Sequence, residues 1–141
     1  MKAIDTTVEA SFAEVEQVAK QALANQGFGV LTEIDVAKTL QEKLGIQRPA
    51  LKILGACNPS IAHKAIEEDP SVVLALPCNV VIETVLSENS QTAAADKTGK
   101  GTIRVAAADP EQFLNAELAN QAKTKLQAVM ENLQSAFSNK G

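Results

Sequence analysis

The sequence predicts a single α+β domain spanning residues 1–141, with a mixed or antiparallel sheet, helices mainly on one face and a long C-terminal helix. Three observations carry this. Capping residues followed by apolar positions at helical spacing mark helix starts at Ser11, Asp35, Asn58 and Asp109. Short β-branched runs separate them, and the alternation of strand and helix ends in a strand pair before the last helix, which speaks against a doubly wound parallel sheet. No internal repeat and no domain-sized linker interrupts the chain.

Residues 2–8 form a first strand of weak alternation. Ser11 and Glu14 make a capping box, in which the hydroxyl and the carboxylate satisfy free backbone amides at a helix start. Phe12, Val15, Val18, Ala19, Ala22 and Leu23 then share one face, and Gly27 supplies a stop, so residues 12–26 are a helix. Residues 28–34 are a strand. Asp35 caps a second helix with a narrow stripe of Val36, Leu40 and Leu44, ending at Gly45.

Residues 50–56 are apolar on both faces and read as an interior strand running into Cys57. Asn58-Pro59 starts the next helix: asparagine caps it, and proline at the first helical position loses no hydrogen bond. Ile61, Ala62, Ala65 and Ile66 form its apolar arc, with His63 outside, and the helix ends before Pro70. A strand runs over residues 78–86 with Pro77 at its start, a polar loop covers residues 87–101, and residues 102–107 alternate as a further strand. Asp109-Pro110 opens a helix over residues 110–137, about 40 Å long. That exceeds what a domain of this size covers alone. Either the helix breaks near Asn120 or a second subunit covers part of its stripe, and the second alternative predicts a homodimer.

Composition narrows function by exclusion. A formal net charge of -4 and few aromatic residues exclude a nucleic-acid footprint, which needs clustered Lys and Arg with stacking platforms. No apolar run reaches the roughly 18 residues of a membrane span, and the polar N-terminus lacks a secretory core. The chain therefore reads as soluble and cytoplasmic, or as periplasmic or exported if a leader has been removed. There is no phosphate-binding glycine loop, and one histidine is too few for the common zinc hydrolase signatures. Ser60 and His63 share a helix face but have no nameable acidic or oxyanion partner, so no catalytic residue and no metal ligand is assigned.

What remains is a stretch, residues 51–82, holding both cysteines and the only histidine. Cys57 sits just before a helix N-terminus, where free amides and the helix dipole favour a thiolate, which makes it the candidate reactive thiol. Cys78 shares a strand face with Val80 and Ile82, as a packed small hydrophobe or as the partner thiol. If the two element ends are neighbours, the thiols can form a reversible disulfide or hold a soft metal. The candidate ligand-binding residues are Cys57, Asn58, Cys78, Asn79 and His63.

The runs Ile53-Leu54-Gly55-Ala56-Cys57-Asn58-Pro59 and Leu76-Pro77-Cys78-Asn79-Val80-Val81-Ile82-Glu83, with Asp69-Pro70 between them and Gly27-Phe28 upstream, carry a family resemblance. Over residues 10–105 the chain resembles the uncharacterised bacterial and archaeal family known as domain of unknown function three hundred and two. The resemblance implies a small α+β, often dimeric protein and carries over no activity or cofactor. Many relatives resemble this motif with another residue in place of one cysteine, which counts against an obligatory two-thiol chemistry. The reading is thus of a dimeric module that binds a small ligand or a protein partner near Cys57 and Cys78. Its alternatives are a thiol-dependent redox or sulfur-handling protein and a soft-metal binder.

Overall fold

The computed structural model describes residues 1–86 and 97–138. Five strands form one sheet in the order β1-β5-β4-β3-β2, every neighbouring pair antiparallel: β1 Ala3–Ser11, β2 Gly29–Asp35, β3 Leu51–Cys57, β4 Cys78–Val85 and β5 Lys100–Ala108. The helices are α1 Phe12–Asn25, α2 Val36–Leu44, α3 Pro59–Glu68 and α4 Ala116–Ser138, with short 3₁₀ helices at Pro70–Ala75 and Pro110–Gln112. The expected antiparallel α+β architecture is the one observed.

The capping chemistry works where the sequence places it. Ser11 Oγ accepts from Glu14 N at 3.1 Å and Glu14 Oε1 accepts from Ser11 N, so the last residue of β1 is also the cap of α1. β1 therefore runs three residues beyond the strand predicted over residues 2–8. Asp35 Oδ1 accepts from Lys38 N, and α2 ends on Gly45 in the left-handed conformation.

The helix predicted over residues 110–137 is corrected. Asp109 Oδ1 accepts from Glu111 N, but the cap starts only a 3₁₀ turn, Pro110–Gln112. The chain then bends through Phe113 and Leu114, and Asn115 provides a second start, its Oδ1 accepting from Leu118 N at 2.9 Å. The break thus comes before Asn120. The apolar segment before Pro77 is also resolved: Pro70–Ala75 is 3₁₀ helix, capped by Asp69 through Ser71 N. Most of the loop expected at residues 87–101 lies outside the described residues, and Lys100 and Gly101 belong to β5.

Two hydrophobic clusters result. The main core joins the inward face of the sheet (Val8, Leu54, Val80, Ile82, Ile103, Val105) to α1 through Phe12, Val15 and Leu23 and to α4 through Leu126, Val129 and Leu133. A smaller cluster at one end of the sheet packs Ile61 and Ala65 of α3, Val72 of the 3₁₀ helix and Leu118 and Ala122 of α4, with Leu76 and Leu114 against it. The apolar stripe of α4 is buried within the chain, so its length gives no reason for a second subunit. On the opposite face of the sheet Leu51, Ile53 and Val81 are half-buried, while Ile34 and Val85 remain 50% and 41% exposed.

Candidate functional site

Cys57 and Cys78 lie at the seam between the clusters. β3 and β4 pair with Ala56 opposite Cys78, and Cys57 is the next residue. Opposed Cα atoms in an antiparallel pair are about 4.5–5.5 Å apart and each residue advances about 3.4 Å, which puts the Cα atoms of Cys57 and Cys78 about 6 Å apart on the diagonal. Both are free cysteines and both line one small cavity. Its other walls include Phe28 and Ala56 of the main core and Ile61, Ala65 and Ala122 of the smaller cluster.

The cavity is apolar and has a volume of about 20 Å³. That is room for about one water molecule. Beyond Ala65 and Leu114, which belong to both linings, lies a wider cleft of about 220 Å³ bounded by Glu68, Asp69, Phe113 and Asn115. Leu114 and Ala65 therefore stand between an open, acidic-edged cleft and the cavity that Cys57 and Cys78 border. Asn115 Nδ2 donates to Glu68 Oε2 across that edge, tying the end of α3 to the start of α4.

Burial raises the pKa of the Cys78 thiol, and the nearby Cys57 raises it further, so Cys78 is protonated at neutral pH. Cys57 precedes the cap of α3, and the cap itself is Asn58, whose Oδ1 accepts from Ile61 N at 3.3 Å. The Asn58 amide also donates to Gln26 O at 3.3 Å, locking the end of α1 to the start of α3. Asn58 is thus a structural hinge that lines the cavity, and its polar atoms are already engaged in the fold.

Of the five sequence candidates, Cys57, Asn58 and Cys78 come together. Asn79 and His63 do not line the cavity. Asn79 pairs with Gly55 and is exposed, on the sheet face that Cys57 at the end of β3 shares by alternation, and His63 lies exposed on α3 away from the apolar arc. Among the described residues no group of three or more His, Cys, Asp or Glu is placed to hold a metal ion. Sequence reading missed Leu114, Phe113 and Asn115. They sit in a segment read as continuous helix, and their only signal was Asn115, a second capping residue six positions after Asp109.

The glycines and prolines of the motif are explained by contact. Gly27 has φ +84°, and a Cβ there would lie 3.2 Å from Asn58 Nδ2. A Cβ at Gly55 would overlap Thr32 Oγ1 and lie 3.1 Å from Pro77 Cγ. Pro77 follows a cis peptide bond, and the Thr32 contact adjoins a register shift in β2 between Val30 and Thr32.

Fold and site together define a small antiparallel α+β module with a thiol-lined cavity at one end of its sheet, under α3. The chain belongs to the family described as Domain of unknown function DUF302, which it matches over residues 4–139. The match takes in α4, so the C-terminal helix is part of the family pattern and extends it beyond residues 10–105. A crystal structure described as an uncharacterized conserved protein DUF302 from Bacillus stearothermophilus is similar at 27% identity and a TM-score of 0.72, covering 92% of this chain and 97% of that one. No curated protein matches this chain. Among the described residues no helix is long and apolar enough to cross a membrane.

Proposed function

We propose that this protein is a small-ligand-binding module whose site is the cavity of Cys57 and Cys78, reached from the cleft beside Glu68 and Asp69. One observation supports this above the others: Cys57 and Cys78 both border a single apolar cavity that shares Leu114 and Ala65 with an open cleft. Convergence of a few polar groups in an apolar recess is the usual form of a ligand site. Its combined size is below that of most drug-sized pockets, so the ligand is small.

The reading is of a binding module. Catalysis by a thiol needs a thiolate beside a base, whereas Cys78 is held protonated and His63 lies elsewhere. A thiol-redox role is favoured by the Cα separation, which suits a disulfide. Against it, Cys57 and Cys78 stand on opposite pleats, so their Cβ atoms diverge and bridging requires backbone movement.

The test is the alkylation rate of each cysteine in the folded, reduced protein against pH, using a small uncharged reagent. Binding predicts that both thiols react well before global unfolding, Cys78 slowed by its raised pKa. Fast reaction of Cys57 far below pH 8 transfers the site to thiol chemistry. Reaction only on unfolding removes the site altogether.

The module acts as a homodimer joined through the sheet face opposite α1 and α4. The exposed Ile34 and Val85 and the half-buried Leu51, Ile53 and Val81 support this, since apolar side chains beside the ion pairs of Arg104 with Asp5 and Glu83 give that face a surface for association. Sedimentation at micromolar concentration should give a dimer, and Val81→Lys a monomer with the same cavity.

A further inference from the structure

We propose that the ligand of this site is a short unbranched aliphatic amine, its chain lying along the cleft toward the cavity that Cys57 and Cys78 border and its ammonium at the edge formed by Glu68 and Asp69. The inference rests on the reading of that cavity as the binding site and names the class of molecule that it takes.

The apolar part of the ligand follows from the walls. The cleft of about 220 Å³ has a floor of Val72, Phe113, Leu114 and Leu118, of which Val72 and Leu118 are buried. Leu114 and Ala65 belong to the cavity as well, so the floor leads to its wall. The cavity holds no free side-chain nitrogen or oxygen for a guest: the Asn58 side chain is taken up by Ile61 N and Gln26 O, and among the described residues no buried side-chain nitrogen or oxygen lacks a partner. An apolar space of this kind stays dry and takes an apolar guest. At about 20 Å³ it admits a methyl end and excludes a ring or a branched end, which selects an unbranched chain. Cys78 pairs with the buried Ala56 and so lies on the sheet face where that chain end arrives.

The head group follows from charge. Among the described residues no lysine or arginine lines the cleft or the cavity, and neither Glu68 nor Asp69 is in an ion pair. Glu68 Oε2 accepts from Asn115 Nδ2, and Asp69 Oδ1 accepts from Ser71 N and Ser71 Oγ. Glu68 Oε1 and Asp69 Oδ2 therefore take no donor among the described residues. An ammonium at the end of the chain donates to those oxygens, whereas a carboxylate or phosphate head meets only like charge. Both carboxylates are exposed, so the chain supplies most of the affinity and the carboxylates set the sign of the head.

The experiment measures binding of hexylamine, hexanol and hexanoate to the full reduced chain at neutral pH by isothermal calorimetry, together with the alkylation rate of Cys78. Hexylamine should bind saturably, one per chain, and slow the alkylation of Cys78, with affinity rising by up to about fourfold per methylene from butylamine to hexylamine. Hexanol should bind up to about fivefold more weakly, the span of an exposed ion pair, and hexanoate should not saturate. The double variant E68Q/D69N keeps the acceptors for Asn115 and Ser71 and should bind hexylamine and hexanol alike. Hexanoate binding as tightly as hexylamine, or an amine preference that survives in E68Q/D69N, overturns the amine assignment. Binding that leaves the Cys78 rate unchanged puts the chain outside the cavity and overturns the proposed placement. If none of the three binds while Cys78 is alkylated in the folded chain, the ligand class is overturned and the cavity reading stands. If none binds and Cys78 reacts only on unfolding, the cavity reading is lost as well. The three probes share one chain length, so their comparison on the unaltered protein decides the head group even if the double variant fails to fold.

Discussion

Gly55→Ala tests the packing that holds the motif together. The added Cβ would overlap Thr32 Oγ1, lie 3.1 Å from Pro77 Cγ and 3.5 Å from Thr32 Cβ. Thr32 is β-branched and its χ1 is restricted, so relief needs a change of its rotamer or movement of β2 at its register shift. Overpacking of this kind costs about 1–3 kcal/mol. Replacing glycine in a strand interior returns about 0.5–1 kcal/mol of backbone entropy. The net expectation is a loss of about 1–2 kcal/mol, read as a lower urea midpoint at unchanged slope. In a Thr32→Ala background the worst overlap disappears, so the same substitution should cost about 1 kcal/mol less. A G55A chain as stable as the parent, or an equal cost in both backgrounds, would show that the close approach of Thr32 and Pro77 does not constrain this position.

Asn58→Ala removes the acceptor for Ile61 N and the donor to Gln26 O, and should cost about 1–2 kcal/mol by urea unfolding. Asn58→Asp, which keeps only the acceptor, should fall between. Burial raises the Glu16 pKa, but the ion pairs with Lys52 at 2.7 Å and Lys20 at 2.9 Å outweigh it, and the net value lies below the ordinary 4.5. The unfolded chain then takes up this proton at higher pH than the folded one. Stability is therefore full above the ordinary value and declines as pH falls through the folded value. Urea midpoints between about pH 5 and pH 3 should decline less steeply in Glu16→Gln. Leu114→Ala should speed alkylation of Cys78 by opening the partition to the cleft, at a stability cost below the roughly 2–5 kcal/mol of a fully buried leucine. An unchanged alkylation rate would mean that the thiols are reached by another way.

Local chemistry was legible wherever it is self-contained. Ser11 with Glu14, Asp35 and Asn58 each cap the helix that the sequence assigns them, because the donor and acceptor lie within three residues of one another. The 110–137 segment was not legible for the same reason inverted. Asp109 and Asn115 are both valid caps, and only the packing of Leu114 against the α3 cluster decides that the chain bends between them. Likewise, the stripe of α4 implied an uncovered surface, and tertiary packing against α1 and β1 covers it. The site was half legible. The sequence places Cys57 and Cys78 at element ends, but the pairing of Ala56 with Cys78 is a long-range fact. That pairing also leaves Asn79, one of the candidate ligand-binding residues, exposed opposite Gly55 and away from the cavity.

The motif carries two separable sets of residues. Gly27, Gly55, Asn58, Pro59 and Pro77 are each tied to a contact, a cap or a backbone conformation, so any chain that folds this way has reason to keep them. The thiols are different. An alanine would fill either position at modest cost to the two clusters, since Cys57 and Cys78 are only partly buried and border a cavity that packing has left unfilled. Fold therefore explains the glycines, the prolines and Asn58, and leaves the cysteines over. Packing as small hydrophobes and chemistry at this end of the sheet are the two remaining reasons for cysteine at positions that border one small apolar space, and replacing them singly separates the second from stability.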